Sequence, residues 1–242
     1  MRNDFKISYS RINTYLFCSY KYKLIYVDNL YIPLNANITF GHIIHKSLES
    51  FHRGQRHSLE ILFECYDEAW KNDGFAYPQQ IFEYYKHGRQ ILKNYYKSFC
   101  KIKSKVLYVE KAFDTNIGKY RFIGIIDRID KYPDGSYEII DYKTHMKVWN
   151  QEDVDKDLQL SFYAYACKNV FNFYPSKISM YFLSENKKVY TKRLQNEILD
   201  AISIATTIAE NIAAENFNPN ISKCQNCDFK LKCKHSKYKT EK

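Results

Sequence analysis

Apolar positions follow two different periods along the chain. From about residue 8 to 103 they recur three and four apart, as on amphipathic helices. In ITFGHIIHKSLESFHRG, Ile44, Leu48 and Phe51 share one helical face, and Thr39 is the expected N-cap. Ser58 and Pro78 predict the starts of two more helices, SLEILFECYDEAW and QQIFEYYKHGRQILKNYYKSF, the second ended by the charged KIKSK stretch. Beyond residue 104 the texture changes. KVLYVEKAF, YRFIGIIDRID and SYEIIDYKT are short, β-branched and separated by glycine-containing turns, which predicts three strands. A helix is expected over about 154–171, strands KISMYFLSE and KVYTKRL on either side of Asn186, and a long helix over about 195–214 before a cysteine-rich tail. Helix, three strands, helix, strand is the order of an α/β layer with a mixed sheet.

Two acidic residues break this pattern. Asp127 and Asp141 stand inside β-branched runs, where aspartate is disfavoured. Tyr132-Pro133-Asp134-Gly135 suits a type I turn with Gly135 in a left-handed conformation. If Tyr132 pairs with Ser136, Asp127 falls directly opposite Asp141, with Cβ atoms about 5 Å apart on one face. Lys143, two residues on, shares that face. Two carboxylates among Ile123, Ile125, Ile129 and Ile139 repel each other and lose hydration. A divalent cation removes the conflict, because hard oxygens bind it and its charge keeps both carboxylates ionised. The competing reading is a solvated strand face carrying scattered charge.

Length and composition narrow the setting. The 242 residues suit a single domain over 1–242, with a helical part to residue 103, core strands and helix over 104–194, and a C-terminal helix and tail over 195–242. No apolar run reaches the length of a membrane span, and MRNDFKISYSRINTY has no signal-peptide stretch, so a cytoplasmic protein without membrane contact is expected. The net charge of +10, with 23 Tyr and 16 Phe, suits a polyanion bound by counterion release and base stacking. An AT-rich coding sequence would give a similar Lys-, Asn-, Ile- and Tyr-rich composition, so charge alone does not decide.

Seven cysteines, an odd number, argue against a secreted disulfide framework. CQNCDFKLKC brings Cys224, Cys227 and Cys233 together on a short segment, and Cys18 is the candidate fourth thiolate. Zinc accepts such a set, with His235 able to replace one ligand, and so does an iron–sulfur cluster. Lys223, Lys230, Lys232 and Lys234 would favour thiolates there. Cys65, Cys100 and Cys167 are expected to be buried thiols.

GIIDRID followed by IIDYKT resembles the metal-binding core of the PD-(D/E)XK nuclease superfamily, in its RecB-like branch. FGHIIH resembles the upstream G-x-x-x-H of that branch, which implies His45 as a metal ligand. VEKAF resembles its first-strand acidic position, here Glu110, and QLSFY its Q-x-x-x-Y helix, here Gln159 and Tyr163 as DNA-binding residues. SYSRINTYLFCSYKYKLIYV resembles its N-terminal helix with a cysteine. These features keep the family's order from about residue 8 to 233. Each has an ordinary alternative, since a helical histidine is commonly a core or surface residue and Glu110 could be a solvated edge residue.

The resemblance implies a restriction-endonuclease-like αβββαβ core with a mixed central sheet, a helical N-terminal part and a Cys-rich C-terminal cluster region. It implies a [4Fe-4S] cluster on Cys18, Cys224, Cys227 and Cys233, as in AddB-type and CRISPR-adaptation nucleases, although Ser19 stands where such sequences often have proline. It also implies Mn2+ or Mg2+ held by His45, Asp127, Asp141 and the Tyr142 backbone carbonyl, with Lys143 and Glu110 at the reacting phosphate. The expected activity is DNA phosphodiester hydrolysis on single-stranded ends, by a stand-alone RecB-like exonuclease or by a CRISPR-adaptation nuclease trimming prespacers beside integrase subunits. No G-x-x-x-x-G-K-[ST] loop is present, so any helicase motor would be a separate subunit. A DNA-binding scaffold that has lost its chemistry and a zinc-ribbon regulator are the alternatives from other classes.

Overall fold

A computed structural model describes residues 5–144 and 147–238. The chain divides into two compact units, Met1–Pro33 with Asp114–Gly124 and Asn196–Lys242, and Leu34–Phe113 with Ile125–Gln195. Among the described residues no helix is long and apolar enough to cross a membrane.

The first unit joins the beginning of the chain to its end. Strand β1 (Lys6–Ile7) runs parallel to Arg121–Phe122 of β3 (Tyr120–Lys131). Helix α1 (Tyr9–Phe17) begins at Ser8, whose hydroxyl accepts the Arg11 N–H. Helix α2 (Ser19–Tyr26) follows after one extended residue, Cys18. The single N-terminal helix expected around Cys18 is therefore two, and the cysteine sits at their joint, where its side chain is not committed to a helix face. The tail returns through α8 (Gln195–Ala213) and a 3-10 turn, Ile221–Asn226. The Ser19 hydroxyl donates to the Asn218 carbonyl at 2.7 Å, the Asn220 N–H donates to Cys18 Sγ at 3.3 Å, and Tyr22 stacks on Phe217.

Strand β2 (Lys105–Ile117) is longer than KVLYVEKAF predicts and pairs with β3 across a tight turn at Gly118, whose φ of 57° suits a residue without Cβ.

In the second unit, α3 (Ala36–Arg53) starts at Asn35 rather than at Thr39, because the Asn35 side chain accepts the Ile38 N–H at 3.1 Å. Thr39 lies inside the helix and donates to the Asp73 carbonyl. Helices α4 (Leu59–Ala69), capped by Ser58, and α5 (Pro78–Phe99), with proline in its first turn, begin where predicted. Strand β4 (Tyr137–Lys143) is antiparallel to β3 and parallel to β5 (Lys177–Phe182), which pairs antiparallel with β6 (Lys187–Thr191). The helix expected over 154–171 is broken into α6 (Gln151–Asp155) and α7 (Leu158–Val170), because Asp157 takes an extended backbone and its side chain accepts the Leu160 N–H as the N-cap of α7.

Strand alternation assigns the two faces of β4. Ile140 and Tyr142 enter a core with Phe40, Ile44, Leu48, Leu62 and Leu92 from α3–α5. Asp141 and Lys143 point the other way and bond to residues of α7. A Cβ at Gly41 would lie 3.2 Å from Thr144 Oγ1, so α3 comes close to the end of β4 there.

Candidate active site

The β3–β4 hairpin sets the site. The Tyr132 N–H donates to the Ser136 carbonyl at 2.9 Å, Gly135 has φ 85°, and the ladder runs from Lys131↔Tyr137 to Arg128↔Ile140. The next pair in register is Asp127 with Asp141, as the turn predicts. Asp127 Oδ2 accepts the Tyr142 N–H at 2.7 Å, so a side chain takes over where the ladder ends. N–H and C=O of one strand residue point to the same side. The Tyr142 carbonyl therefore faces Asp127 as well.

Three elements meet at this point. His45 of α3 places Nδ1 at 3.6 Å from Asp127 Oδ1 and 4.0 Å from Glu110 Oε1. One ligand atom from each of His45, Glu110 and Asp127 lies within 4.8 Å of the others. Glu110 reaches this group through a left-handed backbone (φ 45°) within β2, an unfavourable conformation for a residue other than glycine.

Asp141 is 3% exposed and lies outside that 4.8 Å group. Its Oδ2 is 2.8 Å from Lys143 Nζ but off the hydrogen-bond direction, leaving this buried oxygen without a hydrogen bond. Its Oδ1 accepts from the Tyr163 hydroxyl at 3.2 Å. That hydroxyl accepts from Gln159 Nε2 at 2.7 Å, and Gln159 Oε1 accepts from Lys143 at 2.8 Å. Lys143, Gln159, Tyr163 and Asp141 thus close a ring. Gln159 and Tyr163, expected at the nucleic acid, here hold the lysine and the carboxylate.

Electrostatics follow from crowding three carboxylates into a partly desolvated place. Burial and then Asp127 push the Glu110 carboxyl up to about 7. Burial also raises Asp141 to about 6, against the opposing pull of Lys143. Burial acts to lower His45, but the Asp127, Asp141 and Glu110 charges outweigh it and raise it to about 9. Carboxylates driven toward protonation and an imidazole beside them fit a divalent cation, which would relieve their crowding. His45 and Glu110 open into a cleft of about 790 Å³, lined also by Leu34, Lys46, Lys71 and Ile125.

Sequence patterns gave no sign of the polar network beneath the site. Arg128, fully buried, grips Asp130 through two hydrogen bonds of 2.7 and 2.6 Å and donates to the Tyr95 hydroxyl, which bonds Tyr142 and His52. Because Tyr142 lies between Asp141 and Lys143, the network anchors β4 from the face opposite the site. Its members are scattered over α3, α5, β3 and β4, so only tertiary structure assembles them.

In the first unit, Cys18, Cys224, Cys227 and Cys233 line one small cavity with Lys21, Lys223 and Lys230. All seven cysteines are free. Cys167 is buried and Cys65 half-buried, but Cys100 is exposed because it caps the C-terminus of α5, contrary to the expected burial.

The chain superposes with a TM-score of 0.58 on a crystal structure from Eubacterium rectale named as a candidate exonuclease, at 13% identity over 98% of this chain and 90% of that one. A second solved structure, SSO0001, gives a TM-score of 0.40 at 18% identity over 92% of this chain and 96% of that one. Among curated proteins none matches the chain. The profile of the PD-(D/E)XK nuclease superfamily matches residues 6–234, nearly the whole sequence. The chain belongs to the PD-(D/E)XK nuclease superfamily.

Proposed function

We propose that this protein is a RecB-like, Mn2+- or Mg2+-dependent deoxyribonuclease that hydrolyses phosphodiester bonds at single-stranded DNA ends. The observation that carries the reading is the convergence of His45, Glu110 and Asp127 beside the Asp141–Lys143 pair. His45, Asp127, Asp141 and the Tyr142 carbonyl hold the ion, and Glu110 adds a carboxylate. When bound, the ion supplies Lewis acidity, polarising the scissile phosphate and acidifying a water.

Lys143 is the catalytic residue that touches the reacting atoms. Burial disfavours its charge, but Asp141 outweighs this and raises its pKa, so it acts as an ammonium. In that form it donates to the phosphate oxygens and offsets the charge that grows there. Gln159 and Tyr163 are positioning residues, fixing Lys143 and Asp141 respectively.

The four cysteines hold a [4Fe-4S] cluster. What supports this reading is that the four cysteines, drawn from opposite ends of the chain, line one small cavity.

End-labelled single-stranded DNA, incubated with Mn2+, tests the reading. Wild type should shorten it, EDTA should stop the reaction, and Lys143→Ala should lower kcat about 10²- to 10⁴-fold. Equal, metal-independent behaviour of the two proteins would leave a DNA-binding scaffold as the better account.

A further inference from the structure

The strand that carries Asp127 also carries an anomaly. Ile125, two residues earlier and on the same side of the pleat, is 51% exposed, although its neighbours Ile126 and Asp127 are buried. It lines the same cleft as His45 and Glu110, and Leu34, 44% exposed, lines that cleft too. Lys46 and Lys71 line it as well, the former held by Glu49 at 2.9 Å. Asp73 lines the cleft too, so its rim mixes charges of both signs, and exposed branched apolar side chains beside a candidate metal centre with two lysines within reach have two kinds of contact to offer one ligand.

We infer that Ile125 and Leu34 form an apolar subsite for the unpaired nucleotide next to the scissile phosphate, and that they are specificity residues selecting single strands. This rests on the nuclease reading above. Lys46 and Lys71 meet the phosphates, which every nucleic acid presents and which carry no selectivity. The apolar pair contacts the flat face of a base. In a duplex that face is covered by stacking and pairing, and only an unstacked nucleotide can turn it toward a protein wall. Neither side chain can hydrogen-bond, so selection is for strandedness and not for base identity. Burying a branched apolar side chain against a base also removes the exposure that the free protein tolerates at Ile125.

The test measures kcat and KM with Mn2+ on a single-stranded oligonucleotide and on its blunt duplex, for wild type, the Ile125→Ala/Leu34→Ala double variant and Ile125→Phe. Both substituted positions are exposed, and thermal melting verifies folding. The double variant should raise KM on the single strand about ten-fold, with a smaller change on the duplex. Ile125→Phe, which adds a stacking surface, should lower the single-strand KM. An unchanged single-strand KM in the double variant, or an equal rise on both substrates, overturns the subsite while the nuclease reading stands. Absence of cleavage by wild type on either substrate instead removes the nuclease reading, and the subsite with it.

Discussion

At the residue scale, the site's logic is that each charged group is held by another before any ligand arrives. Lys143 has two partners, Asp141 and Gln159, and the glutamine is itself fixed by Tyr163. Removing the amide should leave the lysine charged but free to swing. Gln159→Ala is therefore expected to lower kcat about ten- to a hundred-fold with Mn2+ affinity unchanged. Steady-state kinetics alongside a metal titration separates this from a folding defect, which would move both. The acidic pair was legible in the sequence because aspartate in a β-branched run is anomalous and a hairpin turn fixes the register. Glu110 was not legible in the same way, since its approach to His45 depends on a left-handed residue that no local pattern announces.

At the element scale, helix type and start were readable wherever a side chain supplied the cap, as Ser58 does for α4 and Pro78 for α5. Thr39 misled because threonine also suits a helix interior when its hydroxyl has a carbonyl to reach, here that of Asp73. The break between α6 and α7 was hidden because apolar spacing continues across Asp157. Packing makes a sharper demand within α5. A Cβ at Gly88 would fall 2.1 Å from the Tyr66 hydroxyl and 2.9 Å from Phe40, both in the core, whereas at Gly41 it would meet only the Thr144 hydroxyl. Gly88→Ala should destabilise by about 1–3 kcal/mol through overpacking. Gly41→Ala should lie near neutral, because helix propensity favours alanine by about 1 kcal/mol. Urea midpoints of the two variants test the contrast.

At the scale of the whole molecule, the sequence separates residues that the fold unites. Cys18 and the 224–233 segment lie at opposite ends of the chain yet line one cavity, and the hydrogen bonds from Ser19 and Asn220 hold the two ends together. A cluster bound across ends this far apart would restrict the unfolded chain, by analogy with a disulfide by about 5 kcal/mol before strain. Anaerobically purified protein is expected to contain iron and sulfide with visible absorption. Cys227→Ala should lose both and melt at lower temperature. Colourless protein with stoichiometric zinc would instead support a zinc centre.

The central claim is that His45, Glu110, Asp127 and Asp141 form a divalent-cation site, and calorimetric titration of Mn2+ into wild type and Asp127→Ala tests it most directly. The surrounding carboxylates raise His45 to about 9, and burial with the Asp127 charge raises Glu110 to about 7, so near neutral pH the imidazole and part of the Glu110 carboxyl carry protons that a bound cation must displace. The account predicts one strong site in wild type, with affinity that rises with pH and protons released on binding, and its loss in Asp127→Ala. Equal binding by the two proteins, or affinity independent of pH between 6 and 9 as roughly bracketed by those groups, would contradict it.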